Sequence, residues 1–186
     1  MRSAALLLAC VLQACPSWAV AQAMTGVTTV PPEVQQALPQ AQRIGSGRLT
    51  VWGFQAYDAS LWAAPGFRAD NYGDHTFVLE LGYLRDFSGE SIAERSILEM
   101  RRIGSFSDAQ ATEWTRSMRA AFPDVRRGDR ISGIHQPGGK VRFVTNGRAT
   151  GEIHDETFAR LFFGIWLAPQ TSEPALRRAL LGQAQP

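Results

Sequence analysis

Apolar positions along this chain follow two periods, and the change from one to the other divides it into elements. At Leu49-Thr50-Val51-Trp52-Gly53-Phe54-Gln55-Ala56-Tyr57, β-branched and aromatic residues alternate with small or polar ones, which predicts one strand. Gly45-Ser46-Gly47 reads as the turn leading into it. Pro65-Gly66 and Asn71-Tyr72-Gly73-Asp74 break the chain before a second strand at Thr76 to Leu84. The period then lengthens to that of a helix. Ser88 is placed to cap a first helix, with Ala93, Ile97, Met100 and Gly104 on one side and Glu94, Arg95, Arg101 and Arg102 outward. Ser107-Asp108-Ala109-Gln110 reads as a capping box for a second helix, whose Ala111, Trp114, Met118, Ala121 and Phe122 stay in phase up to Pro123.

Alternation returns at Arg130 to Gln136, Val141 to Thr145 and Arg148 to Ile153, punctuated by Pro137-Gly138-Gly139 and Asn146-Gly147. Asn-Gly is the strongest short hairpin signal, because both residues tolerate positive φ. After Asp155, a helix N-cap by position, Phe158, Leu161, Phe162, Ile165 and Trp166 form the most hydrophobic helix face of the chain. A polar link from Pro169 to Pro174 leads to a last basic helix ending near Leu181. Strands, then helices, then a meander, then helices predict an α+β domain: an antiparallel β-sheet covered on one side by helices.

The first residues read differently. Met1-Arg2, the apolar run Ala4 to Val11 and Ala19-Val20-Ala21-Gln22-Ala23 have the layout of a secretory signal cleaved after Ala21 or Ala23. Residues 1–21 are thus predicted as a signal peptide, and 22–42, with Pro31-Pro32 and Pro39, as an extended arm holding at most a helical turn around Glu33 to Leu38. The expected location is periplasmic or secreted. Leu12-Gln13-Ala14-Cys15 also resembles a lipobox, so a lipid anchor at Cys15 is the minor alternative. Both cysteines, Cys10 and Cys15, fall in this leader, so a cleaved chain relies on packing without disulfides.

Composition narrows the chemistry. Nineteen basic against 17 acidic residues, a net charge of +2 over 186 residues, give no basic excess of the kind a nucleic-acid binder masses on one face. His75, His135 and His154 are scattered, which predicts no metal site. Neither a G-x-S-x-G elbow nor a complete phosphate loop is present, and no cofactor is expected.

Several segments, in order, resemble the bacterial secreted branch of the chalcone isomerase-like family. They are Gly45 to Trp62, Leu79-Glu80-Leu81-Gly82-Tyr83, Phe122-Pro123-Asp124-Val125 with Gly128-Asp129-Arg130, and Phe158 to Leu167. The matches run from about Arg43 to Gly182, so 43–186 is taken as the domain. The resemblance implies an open-faced β-sandwich with a ligand cleft between sheet and helices. In the enzymes of the family a phenolate adds to an enone, steered by an arginine and hydroxyl donors. By resemblance that arginine is Arg43 or Arg48, and Gln55 stands where the plant enzymes have a threonine. Another branch resembles fatty-acid-binding proteins, in which an arginine and a tyrosine clamp a carboxylate, and Tyr57 fits that tyrosine. Phe54, Trp62, Phe162 and Trp166 would then supply apolar lining. The reading carried forward is a non-catalytic protein binding a small apolar or amphipathic ligand with an anionic group. Its alternatives are an isomerase or intramolecular lyase and an envelope partner-binding protein. The sequence leaves the oligomeric state open.

Overall fold

The computed structural model describes residues 30–183, so the predicted leader, its cleavage and any modification of Cys15 lie outside the described residues. Six strands, β1 (Gln42–Val51), β2 (Phe54–Ala63), β3 (Phe77–Tyr83), β4 (Arg130–Gln136), β5 (Lys140–Thr145) and β6 (Arg148–His154), form one antiparallel sheet in chain order. Among the described residues five α-helices accompany it, α1 (Pro32–Ala37), α2 (Gly89–Ile103), α3 (Asp108–Ala121), α4 (Glu156–Leu167) and α5 (Pro174–Leu180), with a 3-10 segment at Ala69–Asp74 between β2 and β3. This is the α+β arrangement expected from the hydrophobic pattern.

Local chemistry starts the helices where the sequence places them. The Ser88 hydroxyl accepts from the Ser91 N–H, and Ser107 and Gln110 form a reciprocal capping box. Asp155 caps α4 through Oδ1, which accepts from the Phe158 N–H at 2.9 Å, while Oδ2 accepts from Trp114 Nε1 at 3.0 Å. One carboxylate thereby starts α4 and ties α3 to it. Helix α4 is the centre of the core. Phe158, Leu161, Phe163 and Leu167 are fully buried against Leu61, Phe77 and Phe143 of the sheet and Met100 of α2.

Two turn assignments change. The stretch Leu49 to Tyr57 is not one strand, because the chain reverses at Trp52-Gly53, whose φ values are 49° and 80°. Asn146-Gly147 has the same pair of angles, 49° and 80°, at the β5–β6 hairpin. Tryptophan in place of asparagine hides the first turn from a sequence reading. Gly45-Ser46-Gly47, conversely, is no turn but lies within β1. A Cβ on Gly45 would sit 2.1 Å from the Ala179 carbonyl oxygen, so the glycine lets α5 lie directly on the strand.

The opposite sheet face is covered in part by α1. Val34 and Leu38 pack on Trp62, Val78, Ile134 and Val144 as a second apolar cluster. Beside it Glu33, only 5% exposed, accepts from Arg130 Nε at 3.0 Å, Arg130 Nη2 at 2.9 Å and the Ser132 hydroxyl at 3.2 Å. Glu80 Oε2 stands 3.2 Å from Arg130 Nε without a hydrogen bond, because that N–H is directed at Glu33.

Candidate functional site

On the helix side, the sheet and helices α2 and α4 leave an open cavity of about 430 Å³, within the range of small-molecule sites. Its inner wall is built by alternation along the strands, Leu79 and Leu81 from β3, Ile131 from β4 and Phe143 from β5, faced by Phe162 and Trp166 of α4. A bulge sets the β2 contribution. Leu49 pairs with Tyr57 but Thr50 pairs with Gln55, so Ala56 is an extra residue. Ala56 and Tyr57 therefore both border the cavity, while Gln55 and Asp58 turn to the far side with Arg48.

Tyr57 brings a polar group to the apolar wall. Its hydroxyl accepts from Trp166 Nε1 at 3.0 Å, which uses a lone pair and leaves the hydroxyl proton to be donated elsewhere. Tyr83 packs edge-on against it, with ring centroids 6.0 Å apart. Burial pushes the ionisation of both phenols well above the ordinary tyrosine range, so each presents a neutral donor. At the rim, Arg95 reaches Glu99 at 2.7 Å, and Glu99 also receives Arg102 at 3.4 Å and the Ser172 hydroxyl at 2.9 Å. Arg85 is different. Its guanidinium lies 5.1 Å from the centre of the Phe54 ring and has no carboxylate partner among the described residues. The arrangement offers an apolar interior, phenolic donors along one wall and an uncommitted cation at the entrance.

Of the residues singled out from the sequence, Phe54, Tyr57, Phe162 and Trp166 border the cavity. Four do not. Arg48 makes a bidentate pair with Asp58, at 2.5 and 2.9 Å, and donates to Gln55 Oε1 at 3.1 Å, all on the face away from the cavity. Arg48 and Asp58 are direct cross-strand neighbours, so their side chains share one face by the geometry of the sheet. Gln55 joins them because the bulge at Ala56 shifts the alternation. Arg43 pairs across the strand with Trp62 and is exposed, and Trp62 is buried under α1 in the opposite cluster. Neither arginine of the family resemblance enters the cavity.

Among the bordering residues that the sequence reading did not single out, three are polar or charged and shape the chemistry: Tyr83, Arg85 and Arg95. Tyr83 continues the Leu79, Leu81 alternation and was findable. Arg95 sits at the edge of the α2 face that carries Ile92, Ser96 and Glu99, where helical periodicity alone reads outward. Arg85 lies in a loop, where pattern gives no direction. Among the described residues no group of His, Cys, Asp or Glu comes together to hold a metal, and no helix is long and apolar enough to cross a membrane. His154 contacts Glu152, and its neighbour Asp155 caps α4 as its position in the sequence suggests.

A family model described as chalcone isomerase-like matches residues 24–182. An uncharacterised protein of Haemophilus influenzae is 30% identical over 144 residues, covering 77% of this chain and 69% of the relative. A crystal structure of an Arabidopsis thaliana fatty-acid binding protein shares the fold with a TM-score of 0.61 and 13% identity, covering 82% of this chain and 95% of that one.

Proposed function

Because the chain belongs to the chalcone isomerase-like family, we propose that it is an exported protein that binds, without transforming it, a small apolar ligand bearing an anionic group. The observation that carries the reading is the cavity itself, apolar inside with an unpaired guanidinium at its entrance. In this arrangement the hydrocarbon lies between Phe143, Phe162 and Trp166, Tyr57 donates to any oxygen inside, and the acidic head rests against Arg85. The Arabidopsis neighbour's description as a fatty-acid binding protein agrees with such a ligand. Export is supported by the leader-like residues 1–21 and their Ala-x-Ala sites. The isomerase alternative has less support, since Arg43 and Arg48, its expected steering groups, stand outside the cavity.

Thermal melting with a long-chain fatty acid and with the matching fatty alcohol tests the proposal. At a hundredfold excess over Kd, a bound acid stabilises by about 2.7 kcal/mol. Arg85→Glu should weaken acid binding roughly 10-fold or more, as loss of a charge-assisted contact does, and leave the alcohol unaffected. No shift with either compound overturns the reading.

A further inference from the structure

The β1–β2 hairpin presents side chains that fold stability does not ask for. Trp52 is 94% exposed and Phe54 62% exposed. Trp52 also occupies a position with φ of 49°, where the equivalent β5–β6 turn uses Asn146. A bulky residue is disfavoured at positive φ, so the tryptophan is held in a strained setting while remaining almost wholly in water.

This tip lies at the end of the sheet where the chain also leaves β3, enters β4 and turns from β5 to β6. Those connections carry Arg85, Arg126, Arg127 and Arg148, all exposed and without a carboxylate partner among the described residues. The acidic groups there accept instead from backbone N–H groups and, in the case of Asp129, also from Asn146 Nδ2 at 2.9 Å. Asp86 accepts from Arg127 N at 2.9 Å, Asp124 from Gly89 N at 2.9 Å and Asp129 from Arg126 N at 2.6 Å. None of the four guanidinium groups is thereby tied into an ion pair among the described residues.

We propose that this end of the molecule docks on the surface of an anionic lipid bilayer, the Trp52 tip entering the interfacial region and Arg126, Arg127 and Arg148 contacting lipid phosphates. An exposed indole has its preferred environment at the membrane–water interface. Arginine forks match phosphate oxygens. Val51, Trp52, Phe54 and Arg85 also border the cavity entrance, so docking sets that entrance at the level of the lipid headgroups. The docking does not rest on the ligand-binding reading, because none of these contacts requires an occupied cavity.

Co-sedimentation with vesicles tests it, using a chain that starts at Gln22, which retains both apolar clusters and removes the apolar leader. Binding is expected to vesicles of mixed phosphatidylcholine and phosphatidylglycerol, with much weaker binding to phosphatidylcholine alone and a decline with salt. Trp52→Asn restores the residue found in the sister turn, so the fold should melt at the same or a higher temperature while vesicle affinity falls roughly tenfold or more. Arg126→Glu with Arg127→Glu should weaken binding by at least about fivefold per residue and leave fatty-acid affinity unchanged. Absence of vesicle binding, or binding unchanged in Trp52→Asn, overturns the proposal. So does a dimer in light scattering that Trp52→Asn converts to monomer, since the tip would then belong to a second copy of the chain.

Discussion

At the scale of single residues, the Tyr57 hydroxyl joins the core to the cavity. It is the partner of Trp166 Nε1, so Tyr57→Phe leaves a buried indole N–H without an acceptor. The expected loss is about 1–3 kcal/mol in urea unfolding, with a shift in tryptophan emission. Because burial raises the ionisation of Tyr57 and Tyr83, the unfolded chain releases these protons first. Stability from them is therefore intact below the ordinary tyrosine range of about 10 and falls only as pH rises through it. Tyr57→Phe should flatten that alkaline decline, read as melting temperature against pH. The same residue was legible in the sequence, whereas its supposed partner Arg48 was misplaced. Read as one strand, Leu49 to Tyr57 puts Gln55 and Tyr57 on one face. The reversal at Trp52-Gly53 and the extra residue Ala56 put Gln55 with Arg48 on the other. Neither feature has a compositional mark.

At the scale of elements, most of the chain announced itself because its capping and turn chemistry agrees with its hydrophobic period. Ser88, Ser107, Asp155 and Asn146-Gly147 each act as their residue type suggests. The failures lie where an element's role depends on what packs against it. Gly45 looked like a turn because glycine usually marks one, yet its use here is a close approach by α5. Gly45→Ala must therefore displace the backbone near Ala179 and Leu180, which lie 2.1 and 2.6 Å from the new Cβ. Overpacking of this kind costs about 1–3 kcal/mol or more. A lower melting temperature together with faster proteolysis near Arg177 and Arg178 is the expected result, and unchanged proteolysis there would show that α5 does not need the contact.

At the scale of the whole molecule, the two sheet faces divide the work. One holds the main core and the cavity, and the other is closed in part by α1 through a cluster the sequence did not reveal, because its members are distant in the chain. Beside that cluster Glu33 and Glu80 share Arg130, and Arg130 and Ser132 aim their hydrogen bonds at Glu33. Glu80 is left with charge but no hydrogen bond, and burial, opposed by Arg130 and reinforced by Glu33, raises its proton affinity. A carboxylate whose folded value lies above its unfolded one holds its proton longer in the native state. Stability from Glu80 thus falls as pH rises from the ordinary glutamate value of about 4.3 through the raised folded value. Glu80→Gln removes this cost and should raise the melting temperature at neutral pH, with the gain vanishing below about pH 4.3, where the wild-type carboxyl is protonated in both states. Glu33→Ala should act in the opposite sense. It strips Arg130 and Ser132 of their acceptor and loosens α1, at about 1–3 kcal/mol at neutral pH. Opposite shifts from two glutamates beside one arginine would identify Glu33 as the latch and Glu80 as its strained neighbour. Equal losses from both variants would mean that the pair acts as one ion-pair network.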